Sequence, residues 1–226
     1  MPPTVLLFDI DGTLVSMRGA GRRALVRAFE AELGRPDVFD ALEFAGMTDP
    51  AIVRYGLAAA GVPADAASVA RLLAAYVRAL EDEVRRSTDC FVHPGVEALL
   101  DACAARPEVA IGLGTGNVRP GARAKLERLG LYHRFAFGGF GCDHEERARL
   151  IAIGAERGAA RLGRPRAACR VVVIGDTPRD VAAAHAIGAE AVAVATSTFD
   201  VDTLRAAGAA AFPDLTAPGV LEAVLG

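Results

Sequence analysis

Short apolar runs without polar alternation recur along the chain and predict buried strands. These runs are residues 4–8, 109–113, 135–137, 170–174 and 191–195. Because no polar residue alternates within them, both faces of each strand are expected to be covered.

Between most of these runs, apolar residues are spaced as on one face of a helix. The predicted helices are residues 96–105, 120–129, 145–162 and 178–187, with a last one at 218–225. Strands that alternate with helices of this length imply right-handed βαβ units and a parallel sheet. The predicted fold class is therefore α/β, a doubly wound parallel sheet formed by residues 1–15 and 90–226.

Residues 16–89 follow a different pattern. Segments 20–33, 49–60 and 66–86 carry apolar residues at helical spacing, and no strand-like run interrupts them. The chain returns through residues 91–95, where Pro and Gly mark a loop. We therefore predict a helical unit inserted after the first strand of the sheet.

The composition of the chain disfavours a membrane protein and a nucleic-acid-binding protein. Of the 226 residues, 52% are hydrophobic and 23% are charged, which is typical of a globular protein, and no uncharged run approaches the ~18 residues of a membrane span. A net charge of −3, an aromatic fraction of 6% and the absence of Trp provide neither diffuse attraction to polyanions nor surfaces for base stacking. Neither a membrane nor a nucleic acid is expected as a partner.

The N-terminus and the cysteines point to a reducing compartment. The first residues lack a positively charged segment before the apolar run, so they do not resemble a secretory signal. The four cysteines show no C-x-x-C spacing, on which disulfide-framework and zinc-cluster interpretations depend. We expect a cytoplasmic protein with reduced thiols.

Two carboxylates, Asp9 and Asp11, follow the first predicted strand in the sequence Asp-Ile-Asp-Gly-Thr-Leu. In open α/β sheets, ligands bind at the carboxyl ends of the strands, where both side chains can be turned toward one point. The alternative is a hairpin, because Asp-Gly between apolar residues is a strong turn signal. A hairpin needs a second strand immediately afterwards, and the chain instead becomes helical.

A second strand end reads Gly114-Thr115-Gly116-Asn117. Small residues there allow backbone N–H groups to approach an anion, and the Thr115 hydroxyl adds a donor. A structural tight turn explains this segment equally well. A dinucleotide-binding loop is disfavoured because the third Gly of G-x-G-x-x-G is missing.

A further strand end places Asp176 and Asp180 beside the same crevice. Thr177 and Pro178 are a good N-cap and first-turn pair, so Asp180 can also be explained as the acid of a capping box. Asp176 lies between the strand and the cap, where its carboxylate faces the crevice of Asp9. Arg147, near the start of another predicted helix, is the nearest cation to this edge, although alone it would suggest only a surface charge.

The order of these motifs resembles that of the haloacid dehalogenase superfamily of phosphohydrolases. The shared features are D-x-D-G-T-L after the first strand, a Thr ending a second strand, a basic residue at a helix start, and G-D-x-x-x-D. The resemblance covers nearly the whole chain, and residues 16–89 stand at the position of that family's cap domain.

The resemblance implies a nucleophile and an acid–base group. Asp9 would attack phosphorus to give an aspartyl-phosphate, and Asp11 would protonate the leaving oxygen and then activate water. Thr115, with the backbone at Gly116 and Asn117, would hold phosphate oxygens.

The resemblance also implies a metal site and a fixed cation. Mg²⁺ would be bound by Asp9, Asp176 and the carbonyl of Asp11, with Asp180 orienting these ligands. This agrees with the physics, because a phosphate dianion repels a carboxylate nucleophile unless an oxygen-bound cation and fixed donors are present. Arg147 would neutralise the phosphoryl group.

The family's cation is more often lysine, and this chain has a single lysine, Lys125. Arg147 is nearer to Asp176 along the chain, which suits the family's spacing better. Arg147 is therefore preferred, with Lys125 as the alternative.

Several functions stay open within and beyond the family. A phosphomutase shares all four motifs. A haloacid dehalogenase usually lacks the second acid, a phosphonatase would need a lysine in the cap, and a receiver-like regulatory module would be roughly half this length. We expect a Mg²⁺-dependent phosphatase acting on a small phosphorylated molecule, as a monomer or a homodimer.

Specificity is expected to reside in the inserted unit, because the core motifs bind only the phosphoryl group. Its first segment combines glycines with Arg18, Arg22 and Arg23, which are able to bind a carboxylate or a second phosphate. A solvated basic helix start explains Arg22 and Arg23 better than Arg18. Arg18 is the predicted substrate-binding residue.

Overall fold

A computed structural model describes residues 2–226, which form a parallel six-stranded sheet and a short two-stranded ribbon. The strands are β1 (Thr4–Phe8), β2 (Val15–Ser16), β3 (Phe91–Val92), β4 (Val109–Thr115), β5 (Gly138–Phe140), β6 (Arg170–Gly175), β7 (Glu190–Val194) and β8 (Ala210–Phe212). The six-stranded sheet has the order β5-β4-β1-β6-β7-β8, and β2 pairs with β3 in antiparallel fashion. The predicted α/β class is confirmed.

Helices follow most of the strands, and three of them come from the inserted segment. They are α1 (Ala20–Leu33), α2 (Asp49–Ala59), α3 (Ala66–Arg86), α4 (Val96–Ala104), α5 (Arg119–Arg128), α6 (Arg147–Arg161), α7 (Pro178–Ala186), α8 (Val201–Ala206) and α9 (Val220–Leu225). None of the helices within residues 2–226 is long and apolar enough to cross a membrane.

The direction in which strands are added reverses at β1. The chain passes from β1 to β4 and β5 on one side, and then crosses to β6, β7 and β8 on the other. A reversal of this kind opens a crevice at the carboxyl ends of the central strands. The motif residues that follow β1, β4 and β6 therefore converge.

Side chains of β1 alternate between two apolar layers. Leu6 and Phe8 pack into the layer that contains helices α4, α5 and α9 and the inserted helices. Val5 and Leu7 pack into the opposite layer with α6 and α7. All four side chains are fully buried, as the continuous apolar run predicts.

The inserted helices pack chiefly against one another and stand over the crevice. Helix α3 is amphipathic, and its buried residues include Leu72, Tyr76 and Leu80. It begins after Asp65, whose side chain accepts a hydrogen bond from the Ser68 amide at 2.7 Å. We call residues 16–89 the cap; this boundary stays a prediction.

The strand predicted at residues 135–137 is wrong in position. Strand β5 lies at Gly138–Phe140, and a side chain on Gly139 would overlap the carbonyl of Leu150 in α6. Close packing of a helix backbone on this strand requires glycine, which hides the strand from a hydrophobic pattern. Strands β2 and β8 are not among the predicted strands, and β3 lies in the segment predicted as a loop, because two or three residues are too few for a periodicity.

Candidate active site

A cavity of about 510 Å³ lies between the carboxyl ends of the strands and the cap. The core contributes the carboxylates of Asp9, Asp11 and Asp176, together with Lys125 and Arg147. The cap contributes the following lining residues: Arg18, Gly21, Arg22, Phe44, Met47, Asp49 and Tyr76. The predicted acidic motifs are thus brought to a single cavity.

Asp9 is buried at the end of β1. Its amide donates to the carbonyl of Ile174 at 2.8 Å, which continues the pairing with β6. Its carboxylate is hydrogen-bonded to the side chain of Thr115 and lies beside Arg147. Burial raises the pKa of Asp9 to about 6, and the Arg147 guanidinium opposes that shift. A bound cation would oppose it further.

Asp9, Asp176 and Asp180 place three buried carboxylates together, with ligand oxygens within 4.8 Å of one another. Asp176 accepts hydrogen bonds from the hydroxyls of Thr13, at 3.0 Å, and Ser197. Burial raises the pKa of Asp176 well above its ordinary value, and the neighbouring carboxylates of Asp180 and Asp9 raise it further. Three carboxylates against one guanidinium leave excess negative charge, and oxygen donors of this kind fit Mg²⁺.

Arg147 connects these carboxylates. Its Nη2 lies 3.1 Å from Asp9 Oδ1 and also contacts Asp180 Oδ1, while its Nη1 donates to the carbonyl of Gly46 in the cap at 3.2 Å. Asp180 Oδ2 accepts from the amide of Thr177 at 3.0 Å and from its hydroxyl at 2.7 Å. The capping box is therefore present, and the same carboxylate also pairs with Arg147.

Asp11 belongs to a second group of polar residues. Its Oδ2 accepts from Lys125 Nζ at 2.5 Å and from Asn117 Nδ2 at 2.9 Å. Asn117 also donates to Thr115 Oγ1 at 2.9 Å and accepts from Lys125 Nζ at 2.7 Å. The side chain of Asn117 therefore joins Thr115, Asp11 and Lys125.

The comparisons with known proteins agree with this geometry. The family model of the haloacid dehalogenase-like hydrolases matches residues 3–188. The chain belongs to the haloacid dehalogenase-like hydrolases. This confirms the predicted family and, with it, a hydrolase.

A relative and two solved structures resemble this hydrolase. A phosphoglycolate phosphatase from Rhodospirillum rubrum is 31% identical over 204 residues, which cover 84% of this chain and 78% of that protein. Crystal structures of CbbY from Rhodobacter sphaeroides in complex with phosphate (19% identity, TM-score 0.70) and of a hydrolase from Pseudomonas syringae (22%, 0.67) share the fold. The match to CbbY covers 99% of each chain, and the match to the Pseudomonas syringae hydrolase covers 94% of each chain.

The two candidate cations of this hydrolase lie at different carboxylates. Arg147 lies at Asp9, whereas Lys125 lies at Asp11. Both are buried; the side chains are 9% and 4% exposed, respectively. Arg147 therefore pairs with the predicted nucleophile and Lys125 with the predicted acid–base residue, and the preference for Arg147 as the phosphate-neutralising cation stays a prediction.

The cap is attached to the loop after β4 through Asp49. The Asp49 amide donates to the carbonyl of Gly116 at 2.8 Å, and Asp49 Oδ2 accepts from the amide of Val118 at 2.8 Å. A side chain on Gly116 would overlap the carbonyl of Met47. We call these contacts the cap clasp. Gly116 thus permits a close approach of the cap to the predicted phosphate loop.

Asp49 is buried, and burial raises its pKa to about 6, opposed by the positive charge of Lys125. Tyr76 shares a side-chain hydrogen bond with it. Sequence reasoning missed both residues. Asp49 follows Thr48 at a helix start and resembles an ordinary capping-turn acid, whereas Tyr76 occupies an apolar position of α3.

The three arginines at the start of the cap differ in what they contact. Arg22 donates to the carbonyls of Phe39 and Leu42, and Arg23 pairs with Glu83 at 2.8 Å. Arg18 is exposed, adopts a positive φ of 47°, and its guanidinium lies 5.0 Å from the Phe91 ring centroid. Arg18 lies at the cavity, and its predicted binding of substrate stays a prediction.

Proposed function

We propose that this hydrolase cleaves a small organic phosphomonoester in a Mg²⁺-dependent reaction, through an aspartyl-phosphate on Asp9. The observation that carries the proposal is the position of the Asp9 carboxylate, which lies 3.1 Å from Arg147 Nη2 and within 4.8 Å of carboxylate oxygens of Asp176 and Asp180. In this arrangement a carboxylate nucleophile can approach an anionic phosphate, because the Arg147 guanidinium and a bound Mg²⁺ would supply positive charge.

Mg²⁺ would be held by Asp9, Asp176 and the carbonyl of Asp11, where its charge reduces the repulsion between a carboxylate and a phosphate dianion. Asp180 would orient these ligands, because it pairs with Arg147, which also pairs with Asp9, and is held by Thr177 at the start of α7. Thr13 and Ser197 fix the orientation of Asp176 by donating to its two oxygens.

Asp9 would attack phosphorus, and the bond from phosphorus to the leaving oxygen would break as Asp11 donates a proton to that oxygen. Water would then attack the aspartyl-phosphate, and Asp11 would accept its proton while Asp9 is released with inorganic phosphate. The cap excludes bulk water from the cavity during the first step.

The substrate is proposed to be a small anionic phosphate whose second charged group binds Arg18. Arg22 and Arg23 are already engaged within the cap, which leaves Arg18 as the predicted contact. The first compound to test is phosphoglycolate, an anionic phosphate, because the relative from Rhodospirillum rubrum is a phosphoglycolate phosphatase. A cytoplasmic location and a monomeric or homodimeric state stay predictions.

The test is release of inorganic phosphate from phenyl phosphate and from phosphoglycolate, with Mg²⁺ or with EDTA. We expect release only with Mg²⁺, and none from an Asp9→Asn variant, whose amide is nearly isosteric but cannot form the acyl-phosphate. With a sugar phosphate as a third substrate, its isomerisation in place of release of free phosphate would indicate a phosphomutase. A folded Asp9→Asn variant with wild-type turnover would exclude Asp9 as the nucleophile.

A further inference from the structure

Lys125 lies in the interior of the protein against the proposed acid–base residue. It is on α5, its side chain is 4% exposed, and its Nζ is 2.5 Å from Asp11 Oδ2 and 2.7 Å from Asn117 Oδ1. It is the single lysine of the chain. Burying an ammonium group costs free energy, which its pairing with a carboxylate offsets only in part. A buried lysine at this position therefore calls for a functional explanation.

The surroundings of Lys125 are unsuited to binding a substrate anion. Two carboxylates face it, that of Asp11 by direct contact and that of Asp49 through its electrostatic field. These two negative charges more than balance the single ammonium charge. The cation at the nucleophile is Arg147, so Lys125 is not required there.

Lys125 and Asn117 bind the same oxygen of Asp11. Within residues 2–226, the hydrogen bonds to the Asp11 side chain go to Oδ2. The Asp11 side chain is 43% exposed, so without these donors its carboxylate would sample several rotamers. With Oδ2 fixed, Oδ1 is the oxygen left to exchange a proton in the cavity.

We propose that Lys125 is a positioning residue that fixes Asp11 for the hydrolysis of the aspartyl-phosphate. This inference rests on the proposed function, in which Asp11 is the base of that step. Asp11 Oδ1 takes a proton from water as the water oxygen bonds to phosphorus, and the bond from phosphorus to Asp9 breaks. Lys125 takes no part in the proton transfer and acts only by holding Asp11 Oδ2.

The cap contributes to this arrangement. Gly21 of α1 faces the Lys125 ammonium and the Tyr76 hydroxyl, and a Cβ there would lie 3.5 Å from Nζ and 3.8 Å from the hydroxyl oxygen. Asp49 adds an attractive charge from α2. A docked cap therefore encloses Lys125 and favours the position in which it holds Asp11.

The experiment is rapid-quench kinetics with 2,4-dinitrophenyl phosphate and Mg²⁺, because this leaving group needs no protonation. In Lys125→Met, we expect a burst of about one dinitrophenol per enzyme, followed by steady-state turnover about tenfold or more below wild type. The phosphorylated enzyme then accumulates because its hydrolysis is slow. A merely structural role would lower the burst and the steady state in the same proportion.

Three further variants sharpen the measurement. Arg123→Met removes an exposed cation of the same helix, paired with Glu127, and should leave both phases unchanged. Adding Lys125→Met to Asp11→Asn should slow hydrolysis no further than Asp11→Asn alone. If circular dichroism shows that Lys125→Met does not fold, Asn117→Ala removes the other donor to Asp11 Oδ2 and should give the same burst.

Three results would overturn this inference and leave the proposed function intact. The first is an active wild type with a Lys125→Met variant whose burst and steady-state turnover are unchanged, and the second is an equal loss in both kinetic phases. Additive losses in the double variant would also overturn it, because Lys125 would then act independently of Asp11. A wild-type chain that releases no phosphate from any ester would instead overturn the proposed function, and this inference with it.

Discussion

Arg147 Nη2 lies 3.1 Å from Asp9 Oδ1, and both side chains are buried. The guanidinium also contacts Asp180, so one cation compensates two carboxylates. A buried charge left without its partner is strongly destabilising. The pairing therefore joins the chemistry of the site to its stability.

We expect Arg147→Met to lower kcat/KM by about 10²–10³-fold, because it removes a fixed donor and charge from the phosphoryl site. Arg147→Lys should retain part of the activity, since it keeps the charge and loses the forked geometry. Phosphate-release kinetics would measure both. Arg149→Met, which removes an exposed cation from the same helix, is the control. Equal activity in Arg147→Met and wild type would exclude this role.

Mg²⁺ should raise the melting temperature of the chain, because it relieves repulsion among Asp9, Asp176 and Asp180 and binds the folded state. The increase should be lost in Asp176→Asn, and EDTA should abolish turnover of the wild type. Ca²⁺ should also stabilise the fold but support little reaction, since its longer bonds misplace Asp9. Scanning calorimetry at graded metal concentrations tests this; full activity in EDTA would contradict it.

The buried carboxyl of Asp49 should make stability depend on pH. Its pKa is about 6 in the folded chain against an ordinary 3.8, so the folded state binds the proton more tightly. The stability that the protonated group contributes is complete below about pH 3.8 and is lost as the pH rises to about 6. Relative to Asp49→Asn, the free energy of unfolding of the wild type should fall by on the order of 1 kcal/mol between pH 5 and pH 7.5.

Urea unfolding of both proteins in EDTA at these two pH values measures the difference. Asp65→Asn is the matched control, because Asp65 is exposed and its pKa is lowered by the Ser68 amide. Its stability contribution is present above its ordinary pKa and should stay constant from pH 5 to pH 7.5. A pH-independent difference between wild type and Asp49→Asn would contradict the assignment.

Arg18→Ala should separate substrates that carry a second anionic group from those whose only anionic group is the phosphate. We expect a lower kcat/KM for phosphoglycolate, by about tenfold, with little change for phenyl phosphate, which lacks a second charged group. Arg27→Ala removes a cation that pairs with Glu83 on the cap and should change neither. Steady-state kinetics on the two substrates decide the matter. Equal losses on both would mean that other residues recognise the substrate.

Much of the core could be predicted because its strands are buried on both faces. The predicted ends of β1 and of helices α1 and α3 match the structure, since β1 is a continuous apolar run and each helix has a clear apolar period. Strand β5 could not be found this way, because two of its three residues are glycines, of which Gly139 packs closely against α6 and Gly138 against Leu113 of β4. A pattern of apolar residues predicts a strand only where apolar side chains are buried, and it gives no signal where glycines allow two backbones to pack closely.

The same limit applies to the site. Carboxylates at strand ends could be predicted to converge, because parallel strands end at one edge of the sheet. Asp49 and Tyr76 come from a separately packed unit, and no spacing along the chain relates them to Lys125. Their position depends on how the cap rests on the core, which is set by shape and by side chains distant in sequence.

The cap clasp has a consequence for the speed of the enzyme. A cap that moves away from the core must break the hydrogen bonds that join Asp49 to Gly116 and Val118, and must form them again on return. Those groups touch neither the nucleophile nor the leaving group in the proposed reaction. Opening of the cap, which breaks a backbone contact at a glycine, would then set the upper limit of turnover. A cap that excludes water more completely would also release the product more slowly.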